Sequence, residues 1–546
     1  MAGRGMRRVR MLVAALAAAA LAAALSSCAN PVIRPTPSVS TSSSPQPGSV
    51  AVFVPSDGPT ISQHRPLNAW TSFTPDLTKA LENQGFAHDD ISVKSSDSLD
   101  GQSRDIQDYV VNTLSAADES SSAASPSPSS EVFSATPSAG AAASPTSHAK
   151  LNATIIVAPV AQVSPSSAQY GDYATRPITA RGGAVAGSTD SGSTDEKRQD
   201  QDEQTLEQVE ERLTAALQLA RESGVRIIVV SNPIRGFKPD LFVQMSTARQ
   251  IGAAQARLLA SKLQLDKVSR DNPKSIEILL PVTGAQEGDD DDADLAADAF
   301  AEEAFAGVWG VLEPYVANGK VVSPSGSFNA STTPDDWRAS AFDADKTQQV
   351  QDEIDARLGM ARGSGKHTRI DGIVAMNDFV ASGVIAELGS LQYTGSAADV
   401  NPSITISGIV NNMTGRKDLA RQAVPDPVQQ AVPQNGDTAE SLEKVNSRWP
   451  IVTGYGAYRD TIAQIVDGKL WMTALENRQA LTTDIAQACV RLNSGETLGT
   501  MSSVEALSID GVTMPAIHEQ LLAVSASNLK RTLIDPGYIS LADAGL

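Results

Sequence analysis

The sequence predicts an α/β protein with doubly wound parallel sheets. Short, nearly continuous runs of valine and isoleucine recur along the chain, for example at residues 153–157 and 225–230. Helical stretches separate these runs, a pattern typical of parallel strands that are buried on both faces. The 546 residues, of which 41% are hydrophobic, are enough for two or more lobes with substantial cores.

The predicted elements alternate along the chain. We predict strands at residues 50–54, 153–157, 225–230, 275–280, 320–322, 372–376 and 403–410. We predict helices at residues 76–84, 206–223, 250–263, 293–318 and 347–358. Gly85 and Gly224 end the first two helices, because glycine readily takes the left-handed conformation found at helix ends. In such sheets ligands bind at the carboxyl ends of the strands.

The N-terminus has the pattern of an export signal with a lipobox. Arginines within the first ten residues precede an apolar run, residues 11–25, that ends in Leu25-Ser26-Ser27-Cys28. This run is shorter than the roughly 20 residues that span a bilayer as a helix. We therefore predict a lipoprotein signal peptide over residues 1–27 and acylation of Cys28, which anchors the protein at the extracytoplasmic face of the membrane. The alternative is an ordinary signal peptide with an incidental cysteine.

Three segments of biased composition interrupt the globular pattern. Residues 28–49 are rich in Ser, Thr and Pro and predict a flexible stalk. Residues 115–147 and 164–204 have few branched apolar residues, and we predict that both are disordered insertions. The second follows the strand at 153–157, so we expect it to overhang the ligand-binding edge of the sheet. The first precedes that strand and is expected to be a surface loop.

Composition excludes several function classes. The net charge of −20 argues against nucleic acid as a partner. No hydrolase elbow, phosphate-binding loop, dinucleotide fingerprint or zinc motif occurs, so the sequence predicts neither an enzyme nor a cofactor. The acidic run at residues 289–294 favours a solvated helix N-terminus over a calcium site, because it lacks the glycine and the closing glutamate of a calcium loop. Cys489 is expected to be a buried thiol rather than a reactive one.

Aromatic and amide side chains are the candidates for ligand binding. Trp70, Phe300, Phe342, Tyr455 and Trp471 could stack on the apolar faces of sugar rings, although an aromatic residue taken singly is more often part of a core. Asn377 and Asp378 follow the apolar strand at 372–376 and precede a helical stretch. The Asn377 amide could therefore point into a cleft or cap the helix.

At these residues the chain resembles the xylose-type sugar-binding proteins of the type I periplasmic-binding-protein superfamily, the receptors of ABC transporters. The similar motifs are Asp371-Gly372-Ile373-Val374-Ala375-Met376-Asn377-Asp378 with Gly383, Thr453-Gly454, Ile465-Val466-Asp467-Gly468-Lys469 and Met472-Thr473. The segment at 307–315, with Gly319-Lys320, resembles that family's helix and turn, and residues 524–537 resemble its C-terminal strand and tail.

The resemblance implies α/β architecture in which two doubly wound parallel-sheet lobes are joined by a hinge of three crossovers. Solute is gripped between the lobes, no chemistry is performed, and a membrane permease recognises the closed form. The expected first lobe comprises residues 50–272 and 476–507. The expected second lobe comprises residues 273–475 and 508–546.

The family's ligand set is only partly matched. Trp70, Asp298 and Asn377 match its aromatic, acidic and amide ligands, and Phe342 is placed at its stacking tryptophan. Ala69, Ser231-Asn232, Phe300 and Gly456 replace a basic residue, an Asp-Arg pair, an asparagine and an aspartate. Losing such charge-assisted bonds weakens binding of the family's monosaccharides. The expected ligand-binding residues are Trp70, Asn232, Asp298, Phe300, Phe342, Asn377 and Tyr455.

Two functional hypotheses follow. In the first, the chain is a lipid-anchored solute-binding protein that delivers a carbohydrate-like molecule to an ABC permease. In the second, the binding fold has lost its transport ligands and serves as an envelope sensor or protein-interaction module.

Overall fold

The computed structural model describes residues 47–57, 64–123, 152–161, 163–176, 178, 196–283, 291–358, 366–397 and 439–544. Several sequence predictions lie outside these residues: the signal peptide, Cys28, most of the stalk, the strand at 403–410, residues 124–147 of the first insertion, and residues 177 and 179–195 of the second.

The strands and helices alternate, as the sequence predicts. The strands are β1 (Ser49–Pro55), β2 (Ile91–Ser96), β3 (Ala153–Val157), β4 (Arg226–Val230), β5 (Leu241–Gln244), β6 (Lys274–Ile278), β7 (Leu280–Val282), β8 (Val321–Val322), β9 (Ala341–Asp343), β10 (Gly372–Val374), β11 (Ile451–Tyr455), β12 (Met472–Leu475), β13 (Val504–Ile509), β14 (Val512–His518) and β15 (Leu522–Ser525). The helices are α1 (Trp70–Asn83), α2 (Leu99–Ala123), α3 (Pro165–Ala168), α4 (Glu196–Glu222), α5 (Ala248–Lys262), α6 (Asp291–Ala317), α7 (Thr347–Leu358), α8 (Asp378–Ser390), α9 (Ala439–Asn446), α10 (Ile462–Val466) and α11 (Arg478–Asn493).

The strands form two doubly wound sheets, one in each lobe. The first sheet has the order β13-β14-β5-β4-β3-β1-β2, and the second has the order β15-β12-β11-β10-β6-β8. Within each sheet the core strands run parallel, and only the β13–β14 and β12–β15 pairs are antiparallel. Each lobe thus repeats the strand order 2-1-3-4-5 of open α/β folds, which confirms the predicted fold class.

Burial explains why the central strands were recognisable. Every residue of β3 is buried, as are all but the first of β4, because helices cover both faces of the sheet. Their isoleucine and valine side chains are divided between two hydrophobic clusters, one on each face of the first sheet. The second lobe has a cluster of its own, built around β6, β10, β11 and helices α5 and α6.

The first connection between the lobes lies before α5, not after it. We expected the first lobe to extend to residue 272, but α5 packs against the second sheet. Its Gln255 side chain donates to the Met376 carbonyl at 2.7 Å and accepts from the Thr453 hydroxyl at 3.0 Å. The apolar side chains of α5 belong to the second-lobe core, so the chain crosses at residues 245–247.

The last connection also differs from the expected boundary. The boundary at residues 507 and 508 falls inside β13. Strand β14 pairs with β5, with Ala516 opposite Phe242, so the whole β13–β14 hairpin extends the first sheet. The chain returns to the second lobe only between β14 and β15. The middle connection lies between β12 and α11, whose Leu481 and Ile485 belong to the first-lobe core.

The insertion predicted at residues 164–204 is partly an ordered structure. Residues 164–176 include α3, and their Tyr170, Tyr173 and Ala174 side chains are buried. Residues 196–204 form the first turns of α4. The prediction of disorder is therefore wrong for both ends of this segment. At residues 164–176 the two tyrosines bury enough surface to order the chain around them. Helix α2 likewise continues to Ala123, past the predicted start of the other insertion.

Candidate functional site

Carboxyl ends of strands from both sheets meet at a buried interface between the lobes. Ser231 follows β4, Met376 lies just after β10, and Ala457 lies just after β11; their φ angles are 66°, 63° and 50°. A left-handed backbone is uncommon outside glycine, and such strain clusters at functional sites. Three such residues at strand ends of both lobes mark this interface as the candidate site.

Residues 164–176, which we term the cleft segment, fill the interface from the first lobe. The Gln169 side chain donates from Nε2 to the Ala344 carbonyl at 2.8 Å and accepts at Oε1 from Asn377 Nδ2 at 3.1 Å. The Tyr458 hydroxyl donates to the Gln169 carbonyl at 2.8 Å. These three hydrogen bonds join the lobes through one residue.

Tyr170 supplies the aromatic part of the same interface. Its ring lies edge-on to Phe300, with centroids 4.9 Å apart, and 6.2 Å from the ring of Tyr455. Burial raises the pKa of Tyr170 far above its usual value, and the neighbouring Asn377 side chain opposes that rise. The hydroxyl therefore stays protonated. Rings from both lobes thus meet at Tyr170.

Asn377 performs both of the roles that the sequence left open. Its Oδ1 accepts from the Val380 amide at 2.9 Å and caps α8. Its Nδ2 points to the first lobe, where it donates to Gln169. Capping and facing the opposite lobe are therefore compatible in one side chain.

Arg176 stabilises the turn of the cleft segment and attaches the end of the segment to the first lobe. Its Nη2 donates to the carbonyls of Ser167 at 2.6 Å and Gly171 at 2.5 Å. Its backbone amide donates to Asn232 Oδ1 at 2.9 Å, and Asn232 Nδ2 donates to the Pro159 carbonyl at 3.0 Å. Asn232 therefore links the end of the cleft segment to the first lobe.

Trp70 lies in the first-lobe core beside a pair of acids. Its ring packs edge-on against Phe73 and Tyr173 at 5.3 and 5.2 Å. Its backbone amide donates to Asp57 at 3.2 Å and to Asp172 at 3.1 Å. Burial, followed by the neighbouring Asp57 carboxylate, raises the pKa of Asp172 well above its usual range. This pair anchors the cleft segment to the start of α1.

The other sequence-predicted residues lie in different surroundings. Asp298 is partly exposed and pairs with Arg338 at 2.5 Å. Phe342 is buried on β9 in the second-lobe core, two residues before Ala344. The structure thus brings Phe300, Asn377 and Tyr455 together around Tyr170.

Sequence reasoning missed Gln169, Tyr170, Arg176 and Tyr458. The available signal was the pair Tyr170 and Tyr173, which stands among small residues.

The buried Glu476 side chain lies in the middle connection between the lobes and is hydrogen-bonded to its surroundings. Its carboxylate accepts from the Ser246 amide at 2.8 Å and from the Tyr455 hydroxyl at 3.4 Å. Its backbone amide donates to Asn68 Oδ1 at 3.3 Å. Burial raises the pKa of Glu476, and the neighbouring His518 on β14 opposes that rise. Glu476, in the middle connection, is therefore hydrogen-bonded to Ser246 of the first connection.

The buried Asp378 carboxyl predicts a pH-dependent stability. Burial raises its pKa to about 7, against hydrogen bonds from Thr473, Tyr458 and Thr461 that lower it. Because the folded pKa exceeds the unfolded one, the folded protein binds the extra proton between pH about 4 and 7. Its contribution to stability is complete below pH about 4 and is lost as the pH rises through 7, by up to about 1.4 kcal/mol per unit.

Thermal melts of the full chain from pH 4 to 8 measure this effect. Asp378→Asn should flatten the decline in melting temperature over that interval, because the amide does not titrate. Asp352→Asn, on an exposed position of α7, controls for removal of a charge. An unchanged slope in Asp378→Asn would contradict the assignment.

Neither a metal site nor a membrane span is found in the described part of the chain. Those residues contain no group of three or more side chains that could hold a metal ion, and no helix among them is long and apolar enough to cross a bilayer.

Comparisons with known proteins give structural likeness only. No family model matches the chain, and no curated protein does. An ABC transporter solute binding protein from Clostridium phytofermentans with bound β-D-glucose is 15% identical, covering 91% of this chain and 99% of that chain, with a TM-score of 0.45. A carbohydrate transporter solute binding protein from Chloroflexus aurantiacus in complex with D-glucose is 16% identical, covering 91% and 98%, with a TM-score of 0.45.

A periplasmic ribose ABC transporter protein from Conexibacter woesei is 10% identical over 89% of this chain and 94% of that chain, with a TM-score of 0.42. Because identity and TM-score are low throughout, the fold assignment rests on this chain's own topology. Two sheets of the same strand order, joined by three connections, are the features of a type I periplasmic-binding-protein-like fold.

Proposed function

We propose that this chain is an extracytoplasmic solute-binding protein that delivers a carbohydrate-like small molecule to an ABC importer. The observation that carries the proposal is the meeting of rings and amides from both lobes at strand carboxyl ends, around Tyr170, Phe300, Asn377 and Tyr455. Aromatic rings stack on the apolar faces of sugars, and an amide both donates to and accepts from hydroxyls. Of the residues expected from sequence, Phe300, Asn377 and Tyr455 are proposed to contact solute.

Hinge motion gives the proposed binding cycle. Three short connections join the lobes, so rotation about them separates Gln169 and Tyr170 from Asn377 and Phe300. Solute enters the opened interface, and closure buries it between the rings. The permease then recognises the closed arrangement of the two lobes.

A second candidate function is favoured by one specific observation. Within the chain, Gln169 already accepts a hydrogen bond from the Asn377 side chain. A protein whose lobes close on its own side chains could act as an envelope sensor or interaction module without transport. Absence of binding to any sugar, polyol or nucleoside would favour this candidate.

The solute-binding proposal predicts a strong effect of Asn377→Ser. Serine keeps the oxygen that caps α8 but loses the Nδ2 donor, so α8 remains capped while solute affinity falls. Loss of one buried hydrogen bond of about 1.5 kcal/mol corresponds to roughly tenfold weaker binding. Calorimetric titration of the full chain with a panel of sugars measures the affinity.

Asn329→Ser is the matched control, because Asn329 lies in an exposed turn and bonds there to Ser331. It should bind solute as the wild type does. Equal affinity of Asn377→Ser and Asn329→Ser for a bound sugar would remove Asn377 from the site.

The lipid anchor is proposed from sequence alone. Cys28→Ser removes the thiol that would carry the lipid, and the protein should then leave the membrane fraction or remain unprocessed. Fractionation with mass spectrometry of the N-terminus gives the measurement, and Ser40→Ala in the stalk is the control. Unchanged membrane attachment of Cys28→Ser would rule out the anchor.

A further inference from the structure

The Gln169 carboxamide lies where a solute group would have to bind. We propose that it is an internal occupant of a subsite for a primary carboxamide or a vicinal diol, and that it holds the unliganded protein closed until such a group displaces it. This proposal rests on the proposed function in one respect, because it takes the interface between the lobes as the solute site.

The subsite consists of two buried groups on the second lobe. The Ala344 carbonyl accepts from Gln169 Nε2 at 2.8 Å, and Asn377 Nδ2 donates to Gln169 Oε1 at 3.1 Å. Asn377 is fully buried, so withdrawal of Gln169 would leave a donor and an acceptor without these partners. An unsatisfied buried polar group is costly, and water or a ligand must therefore replace the carboxamide.

The pairing of one acceptor with one donor defines the chemical class of the ligand. A primary amide presents an N–H and an oxygen side by side, as Gln169 does. Two adjacent hydroxyls also suit, since each hydroxyl donates and accepts. A carboxylate lacks the donor for Ala344, and an ammonium group lacks the acceptor for Asn377. The subsite therefore favours neutral amides and polyols over acids and amines.

The cleft segment is built to leave the subsite with the first lobe. Arg176, the last residue of the segment, donates to the carbonyls of Ser167 and Gly171 on either side of Gln169, and its backbone amide donates to Asn232 of the first lobe. Gly171 has a φ of +82°, and a Cβ there would lie 2.7 Å from the Asn68 carbonyl, so the turn is fitted closely to first-lobe backbone. Opening of the lobes consequently carries Gln169 away from Ala344 and Asn377.

Vacating the subsite by mutation and refilling it with a fragment tests the proposal. In the full chain, Gln169→Ala should speed deuterium exchange in peptides covering residues 164–176 and 453–458 by about tenfold or more, because two hydrogen bonds between the lobes are lost. Propionamide or ethylene glycol, titrated to high millimolar concentration because small fragments bind weakly, should restore the slow exchange. Acetate and ethylammonium should not.

Two further variants make the result specific. Ser166→Ala removes a different contact between the lobes, the hydrogen bond from the Thr283 hydroxyl to Ser166 Oγ at 3.0 Å. It leaves the subsite filled, so propionamide should have no effect. Gln169→Glu keeps the volume but loses the donor to Ala344, and it should open the lobes without responding to propionamide. If Gln169→Ala does not fold, Gln169→Glu takes its place in the exchange measurement.

Slow exchange in both Gln169 variants would overturn the proposal, as would an opened Gln169→Ala that no fragment recloses. These outcomes do not depend on any natural solute. If the wild type binds no sugar while propionamide still recloses Gln169→Ala, the proposed transport function fails and the subsite stands.

Discussion

Arg357→Met is expected to lower the free energy of unfolding by about 3–5 kcal/mol, because it leaves a buried carboxylate without its cation. Arg357 Nη1 donates to Glu277 Oε2 at 3.1 Å and to the Ile278 carbonyl at 2.7 Å, and Nη2 donates to the Ser340 carbonyl at 2.9 Å. The Glu277 side chain is fully buried on β6 in the middle of the second lobe. Denaturant unfolding followed by circular dichroism measures the loss.

An exposed ion pair supplies the control for this variant. Arg249 pairs with Glu303 through two hydrogen bonds of 2.7 and 2.9 Å, but both side chains are about half exposed. Arg249→Met should therefore cost at most about 1 kcal/mol, since solvent screens such pairs. Adding Glu277→Gln to Arg357→Met should recover part of the loss by removing the buried charge. Similar losses of unfolding free energy in Arg357→Met and Arg249→Met would show that burial does not determine the strength of these two ion pairs.

The buried strands β3, β4 and β10 were predicted from local sequence, whereas the edge strand β2 was not. Strand β3 has the predicted bounds because all five of its residues are buried and Thr154 is the only polar one among them. Strand β2 reads ISVKSS, lies at the edge of the first sheet, and is exposed along most of its length. Its weak pattern follows from that position, since one side has no neighbouring strand to cover it.

Lobe boundaries depend on tertiary packing that periodicity does not record. The sequence of α5 shows an apolar face but does not show which lobe that face packs against. In the structure, the contacts of Gln255 and Gly252 place it against the second lobe. The β13–β14 hairpin likewise joins the first sheet only through the pairing of β14 with β5. Local sequence therefore predicted the helix and not the partner on which it packs.

The candidate site was predictable where it lies at strand ends. Asn377 follows the strand predicted at 372–376, and the sequence therefore places it at the ligand-binding edge. Tyr455 was a candidate only as an aromatic side chain, and the structure places it at the end of β11. Gln169 and Tyr170 were not predicted as site residues, because they lie in a stretch whose average composition is that of a disordered segment. Their role depends on contacts with Asn377, Ala344 and Phe300, all more than a hundred residues away in sequence.

Gly307→Ala is expected to destabilise the protein by roughly 3 kcal/mol, because α5 and α6 cross there with their backbones nearly in contact. A Cβ at Gly307 would lie 2.1 Å from the Arg249 carbonyl oxygen, and one at Gly252 would lie 2.2 Å from that of Ala304. Backbone atoms cannot rotate away as side-chain ends can, so the helices must separate. Helix α6 also carries Phe300, and its displacement should loosen the contact with Tyr170.

Gly310→Ala distinguishes close approach from helix propensity on the same helix. Nothing lies within 4 Å of a Cβ at Gly310. Alanine there should stabilise α6 by about 0.5–1 kcal/mol, because glycine loses more backbone entropy when it becomes helical. The two substitutions are chemically identical and three residues apart, so opposite signs in denaturant unfolding can arise only from the helix crossing. Stabilisation by both would mean that α5 and α6 are not in backbone contact at Gly307.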